Sequence, residues 1–418
     1  MRILFVAPYF CWPISAGSSM RMYNVSKQLA RQGHQLVLLA GARANTLPPH
    51  PHLHSLYEEI QAYAPPVWMP AWARLLRWAF SCQPYPATDL ASSSLHDRLR
   101  ELLGTRRFDL IWVNYFFLAD ALPFGLVQDT PVLVDEHEAH VLVWDEYSRR
   151  GNLLERSFAR LNLARVRKLE ERVLARVDAL LCVSAQEAAF LCDRGPHRVK
   201  VWVVPNGVDA DHFRPLLDQR HVPNRILLCG TMDVRRNVDA AIWFATRILP
   251  LVRNAVPAAE LCIVGARPRR SVQNLQTTPG IHVTGIVADV RPYYAEAEVV
   301  VVPYRFGAGT RLKILEAMAM GSAIVSTGSG CRGIDVIDGQ HLLVADDEVN
   351  FAKKVVELLS HRERAQALGA NARRLVEERY RWDHIMDALV VKLQSICSRE
   401  ESACVPGPSG LRGSHAGL

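Results

Sequence analysis

Short apolar runs recur along the chain, each closed by glycine, proline or a polar cluster. In the first half they lie at Ile3–Ala7, Gln35–Ala40, Asp109–Asn114, Val132–Asp135, Ala179–Ser184 and Val201–Pro205. In the second half they lie at Ile226–Cys229, Glu260–Val264, Ile281–Thr284, Glu298–Tyr304 and Ala323–Ser326. Continuous apolar runs of this length, bounded by turn residues, read as strands buried on both faces of a parallel sheet. Helical periodicity fills the intervals, from about Met20 to Gly33 and at Val238–Val256, Val290–Ala297, Asn350–Ser360 and Arg362–Glu377. Arg149–Leu181 is predicted as one long amphipathic helix with Phe158, Leu161, Val166, Leu169, Val173, Val177 and Leu180 as its stripe. Asp335–Asp347 predicts a short β-like segment, and the Pro- and His-rich Thr46–Ser55 a loop. Ser184 is placed to cap the helix Ala185–Asp193. Repeating βαβ units with short connections put the chain in the α/β class, as doubly wound Rossmann-like halves. The halves run over residues 1–210 and 211–380, divided at Asn206-Gly207-Val208-Asp209 and the linker Phe213–Pro223. Ser398–Leu418 carries Gly, Pro and Ser without apolar pattern and is expected to be disordered.

Composition narrows the classes. A chain of 418 residues is long enough for two domains. A net charge of +7 permits an anionic partner: a nucleotide, an anionic membrane or a nucleic acid. No basic block interleaved with aromatics occurs, so nucleic acid is not expected. Nine cysteines without a CxxC pair, mostly in apolar runs, read as reduced thiols of a cytoplasmic protein. MRILFVAPY reads as a first strand and not as a secretion signal, and no window of about 18 apolar residues predicts a spanning helix.

Two stretches hold open alternatives. His50, His52 and His54, with His34 nearby, would share a face in an extended chain and could hold a metal, but a polar surface loop is the plainer reading. Val67–Cys82 places Trp68, Trp72, Leu75, Leu76 and Ala79 at helical spacing, with Trp78, Arg74 and Arg77 close by. Such a helix fits packing on its own domain or lying in a membrane interface.

The strongest candidate chemistry lies in Arg305–Val325, RFGAGTRLKILEAMAMGSAIV. A strand, a Gly-containing turn (Gly307-Ala308-Gly309-Thr310) and a helix follow one another, so free backbone N–H groups and the positive helix end suit a phosphate. Lys313 in the first helical turn is unfavourable without an anion nearby, and Glu316 sits on the same side at i+3. A phosphate would account for the lysine and a sugar ring for the glutamate.

TRLKILEAMAMG resembles the nucleotide-sugar site of the family-4 retaining glycosyltransferases of the GT-B type. Many members carry two glutamates with seven residues between them. Glu316 matches the second, while the first falls on Ala308, as in a subset with a GxGTRLKILEAMA-like string. The resemblance spans roughly residues 1–395 and implies the GT-B fold, two facing Rossmann-like domains with an interdomain cleft. It also implies a helix at 381–397 that crosses back to the first domain. In the family the second glutamate holds the ribose hydroxyls, so Glu316 takes that role, and the sugar contact of the first is missing. Gly17 and Ser18 would lie in the loop that faces donor phosphates and acceptor. DEHEAH matches the segment whose histidine contacts the donor sugar, which assigns His137; that residue could donate a hydrogen bond to the sugar or act on a proton. GTMDVRRNVD replaces the phosphate loop, with Gly230 at the strand end, Thr231 where many relatives have arginine, and Arg236 where they have lysine. Gly309, Thr310, Arg311 and Leu312 complete the donor cradle. VPNGVD matches the interdomain junction.

The resemblance implies transfer of a hexose from a UDP- or GDP-linked donor to a hydroxyl with retained configuration, in bacterial polysaccharide or glycolipid synthesis. Arg236, Lys313 and the Gly309 and Thr310 amides would neutralise the leaving diphosphate without metal or other cofactor, and no DxD motif occurs in a metal-site context. The acceptor would be a glycan or a lipid-linked glycan, met in the cytoplasm or at the inner membrane face. A nucleotide-sugar-binding protein without turnover and a GT-B-fold epimerase remain as alternatives. A nicotinamide oxidoreductase is disfavoured, because no GxGxxG follows the first strands.

Overall fold

The computed structural model describes residues 1–14, 17–42, 50–66, 69–85, 87, 92–127, 129–149, 152–192, 199–216, 221–307 and 312–398. Two parallel sheets carry the chain. The first contains β1 (Arg2–Ala7), β2 (Gln35–Gly41), β3 (Glu59–Tyr63), β4 (Leu110–Asn114), β5 (Val132–Asp135), β6 (Ala179–Cys182) and β7 (Lys200–Val203), in the order β3-β2-β1-β4-β5-β6-β7. The second contains β8 (Arg225–Cys229), β9 (Glu260–Val264), β10 (Ile281–Gly285), β11 (Val299–Val302), β12 (Ile324–Ser326) and β13 (Leu343–Val344), in the order β10-β9-β8-β11-β12-β13. The strand order reverses between β1 and β4 in one sheet and between β8 and β11 in the other. Ligands of doubly wound sheets bind beyond the carboxyl ends of strands at such switch points.

The apolar runs became central strands because both their faces are covered. Leu4, Val6, Val37, Leu39, Ile111 and Val113 pack on one side of the first sheet, and Ile3, Phe5, Leu36, Leu38, Leu110 and Trp112 on the other. The first sheet's helices include α1 (Gly17–Arg31), α2 (Ala71–Phe80), α3 (His140–Arg149), α4 (Leu153–Leu174) and α5 (Ala185–Cys192). Those of the second include α6 (Arg235–Trp243) and α7 (Leu312–Ala319). The last helix, α8 (Trp382–Cys397), buries Trp382, Ile385, Met386, Leu389 and Leu393 in the cluster that holds Ile3 and Phe5. It therefore crosses back onto the first sheet. Gly207 lets it approach, since a Cβ there would stand 2.8 Å from the Trp382 ring.

Several expectations need correction. The helix expected over Arg149–Leu181 is α4 alone. The Asn152 side chain accepts from the Glu155 N–H and the Glu155 carboxylate accepts from the Asn152 N–H, a capping box that fixes the start at Leu153. The helix ends at Leu174, so Val177 and Leu180 are buried by a turn and a strand, and Leu161 of the expected stripe is exposed. The stretch before it forms α3. In the expected loop, Pro51–His54 forms one helical turn, so the three histidines do not share an extended face. His50 and His52 stack on each other and lie against Trp12. Helix α2 packs on its own domain through Trp78, which lies against α4, while Trp72, Leu75 and Leu76 of the expected face, with Phe80, are exposed. Within Asp335–Asp347 only Leu343–Val344 is strand. The Ser184 hydroxyl accepts from the Glu187 N–H, as a cap should. Trp68 lies outside the described residues, as does all of Ser398–Leu418 except Ser398, which ends α8.

Candidate functional site

The loops beyond β8 and β11 face those beyond β1 and β5. Three contacts bring the two sets together. A Cβ on Gly17, at the start of α1, would lie 3.1 Å from Leu312 Cδ1, at the start of α7. Arg236 of α6 pairs with Glu138 at 3.6 Å. The Gly307 N–H donates to Glu146 Oε2 of α3 at 2.9 Å. Gly17, Arg236 and Leu312, predicted from both halves of the sequence, thus stand where the two sets of loops meet; Lys313 and Glu316 follow Leu312 on α7, and His137 adjoins Glu138. Ala308, Gly309, Thr310 and Arg311 lie outside the described residues.

On the second sheet's side, Glu316 is buried at 1% exposure and is no solvent-facing helix residue. Lys313 Nζ stands 2.9 Å from its Oε2. The Tyr294 hydroxyl lies 3.3 Å from Glu316 Oε2 and 3.3 Å from the Lys313 carbonyl. Burial works against the lysine's charge, but the adjacent carboxylate outweighs it and holds the ammonium pKa above its ordinary value. At the end of β8, Asn237 Nδ2 donates to the Thr231 carbonyl at 2.9 Å and pins the loop. Gly265 must lack a side chain, because a Cβ there would come 1.6 Å from the Gly230 carbonyl oxygen. The tips of β8 and β9 thus pass backbone to backbone, and Asn237 packs over Gly230.

On the first sheet's side, His137 lies two residues past the end of β5 and is 8% exposed. Burial brings its pKa down to about 4, so the ring is neutral at neutral pH, although Asp135 pulls the other way. Asn114 Nδ2 donates to the Val6 carbonyl, which turns Asn114 Oδ1 toward His137 Nε2 at 3.0 Å. That oxygen can only accept, so Nε2 carries the proton. Nδ1 is then an acceptor, buried and without a partner. Of the two roles the sequence left open, hydrogen-bond donor or acting on a proton, the geometry offers a lone pair at Nδ1, which fits an acceptor and not a donor. The Tyr115 ring lies 4.5 Å away, and the Tyr9 and Ser18 hydroxyls bond to each other nearby.

Pattern reading missed what holds these groups. Arg21 is 1% exposed and clamps the fully buried Asp135 with Nε and Nη2, at 2.9 and 2.8 Å to Oδ1. Its Nη1 donates to the Val204 carbonyl at 3.0 Å and to Asn206 Oδ1 at 3.2 Å. One arginine on α1 thus ties the strand that carries His137 to the VPNGVD junction. Glu136 accepts from the Phe116 N–H and from His140 Nδ1, which fixes the backbone on either side of His137. Glu138, in DEHEAH, and Glu146, six residues past it, each make a polar bridge to the second sheet's side. Among the described residues no three His, Cys, Asp or Glu side chains converge to hold a metal ion.

Residues 15–212 match the family model described as Glycosyltransferase Family 4, and residues 223–361 match Glycosyl transferases group 1. A GDP-mannose-dependent alpha-(1-6)-phosphatidylinositol monomannoside mannosyltransferase of Mycobacterium tuberculosis is 31% identical over 224 residues, 48% of this chain and 56% of that protein. Among solved structures, sucrose-phosphate synthase from Thermosynechococcus elongatus superposes with a TM-score of 0.71 at 17% identity, covering 96% of this chain and 100% of that one. HepE of Anabaena in complex with UDP superposes with a TM-score of 0.64 at 13% identity, covering 94% of this chain and 100% of that one.

Proposed function

The chain belongs to the family-4 glycosyltransferases of the GT-B fold and uses a nucleotide-sugar donor; from this we propose that it transfers a hexose from a UDP- or GDP-linked donor to a hydroxyl, with retention and without metal. The observation that carries the reading is the Lys313–Glu316 pair at the switch point of the second sheet, a buried carboxylate holding a partly exposed ammonium. The two charges neutralise each other in a site built for two opposite partners. A diphosphate would draw Lys313 off the carboxylate, and the ribose hydroxyls would take its place on Glu316. In the reaction the C1–O bond to the diphosphate breaks and the leaving oxygens gain negative charge. Arg236 and Lys313 stabilise that charge, and one well-placed donor is worth about 3–4 kcal/mol in such a step. The acceptor oxygen bonds to C1 and its proton passes to a phosphate oxygen. His137 Nδ1 accepts from a hydroxyl of the sugar. We place the division between donor and acceptor domains at about residue 210, and the pathway in bacterial polysaccharide or glycolipid synthesis at the cytoplasmic face.

Calorimetry with UDP and GDP in metal-free buffer tests the site. One nucleotide should bind, and Lys313→Ala and Glu316→Ala should each weaken it by roughly 1.5–3 kcal/mol. A folded protein that binds neither nucleotide would remove the assignment.

No described helix is long and apolar enough to cross a membrane. The exposed Trp72, Leu75, Leu76 and Phe80 of α2, beside Arg74 and Arg77, favour a peripheral contact with an anionic surface instead. Sedimentation with phosphatidylglycerol vesicles should pellet the protein, and the Trp72→Ala/Phe80→Ala variant should stay in solution. Equal pelleting of both would retire this contact.

A further inference from the structure

A cleft of about 760 Å³ opens between α3 and α4 on one side and the start of α6 with the loop after β11 on the other. Its first wall carries Trp144, Tyr147 and Phe158, its second Arg235, Asp239 and Phe306. None of these residues belongs to the donor site described above, yet the cleft shares that site's supports. Arg235 lines it, while the next residue, Arg236, points to Glu138. Glu146, between Trp144 and Tyr147, accepts from the Gly307 N–H in the loop that leads to α7.

We propose that this cleft holds the acceptor, and that the acceptor is a glycan of more than one sugar. The inference rests on the transferase reading and names the second substrate of that site. The chemistry of the wall carries it. Trp144 and Phe158 meet edge to face at 5.8 Å, and Trp144 and Tyr147 at 5.7 Å, so the aromatics form a stepped surface and not one flat slot. Flat apolar faces with polar tips suit the C–H faces of successive pyranose rings. Opposite them, Asp239 is held by both nitrogens of the Arg305 fork, at 3.0 and 2.5 Å, and stands as an oriented acceptor for hydroxyls. Arg235 is exposed at the rim and supplies donors. A lipid tail would leave these charges facing hydrocarbon, at a cost that makes it the poorer occupant. The volume lies within the ~300–1,000 Å³ of ordinary ligand sites and exceeds what one ring fills. In the transfer the terminal hydroxyl of this glycan forms the new bond to the donor C1 as the C1–phosphate bond breaks. Its proton passes to the phosphate oxygen, and the diphosphate leaves with the electron pair.

The test uses free trisaccharides of glucose, mannose and N-acetylglucosamine with the nucleotide that calorimetry selects. Saturation-transfer NMR should show at least one trisaccharide bound, more tightly than its monosaccharide. Trp144→Ala and the rim variant Arg235→Ala should each weaken that binding at least fivefold, with nucleotide affinity unchanged; the retained affinity certifies folding. Trisaccharide binding unaltered by both variants would overturn the proposal. So would nucleotide binding without any trisaccharide binding, which leaves the donor site standing. A loss of nucleotide affinity in Trp144→Ala, with Arg235→Ala silent, would assign the cleft to the donor and overturn it too. Failure of the wild type to bind either nucleotide would sink the transferase reading, and this inference with it.

Discussion

The two sheets share a strand order and parallel pairing, but they hold their charges differently. Around β5, Arg21, Asp135, Glu136 and His140 are bound to one another and to backbone, with Arg21, Asp135 and Glu136 no more than 1% exposed. Around β8 and β11, Arg236 pairs with a partly exposed glutamate of the other domain, and Lys313 keeps a partly open side chain on Glu316. The first arrangement fixes geometry, since every charge is already saturated. The second leaves its cations partly exposed. Under the proposed function, the first kind orients His137 and the second is open to a diphosphate, one kind in each half.

The comparison can be broken most forcefully at Arg21. Arg21→Ala leaves Asp135 buried with an uncompensated charge, and removing one partner of such a pair costs about 3–5 kcal/mol. Urea unfolding should show a loss of that order, with His137 mispositioned in any protein that still folds. A loss below about 1 kcal/mol would mean that the clamp is not holding the first sheet.

A pH series probes the same half from another side. Burial, helped by Glu138 and Glu136, pushes the Glu187 carboxyl up to about 7 from an ordinary value of 4.5. The folded state therefore binds more protons than the unfolded chain between those values. The contribution of Glu187 to stability is full below pH 4.5 and falls as pH rises through 7. At 1.36 kcal/mol per unit the swing approaches roughly 3 kcal/mol. Glu187→Gln removes it, so the variant should gain on the wild type from pH 4.5 to 7 and hold that gain at pH 8. Parallel stability curves would place the ionised carboxylate in water.

What the sequence showed and hid follows from the same contrast. Strands buried on both faces were legible as unbroken apolar runs. β3, Glu59–Tyr63, was not, because it lies at the sheet edge with a mixed, partly exposed sequence, EIQAY. Lys313 and Glu316 were legible because their relation is local, three residues apart on one helix. Arg21 looked like any helix arginine, since its partners Asp135, Val204 and Asn206 lie more than a hundred residues away. The buried face of α2 was missed for a like reason. Periodicity favoured Trp72, but Trp78 is chosen by contacts on α4, with its N–H on Asn162 and the Arg165 guanidinium 4.3 Å from its ring centroid. His137 was placed by its strand, whereas its proton is placed by Asn114, a residue no pattern marked.

The smallest effect on stability sharpens the comparison most. Arg236 and Glu138 are partly exposed, at 36% and 26% of their side chains, and pairs of this kind contribute about 0–1 kcal/mol. Arg236→Ala should therefore shift the unfolding midpoint hardly at all, although the bridge spans the two sheets. The same change should cost nucleotide binding roughly 1.5–3 kcal/mol, because the phosphate loses a charged donor. Arg21→Ala should do the opposite, with a large loss of stability and nucleotide affinity retained in whatever fraction folds, since the second sheet's cations are untouched. If Arg236→Ala instead unfolds the protein while leaving nucleotide affinity alone, then the bridge is structural, and the division of labour between the halves is not the one drawn from their burial.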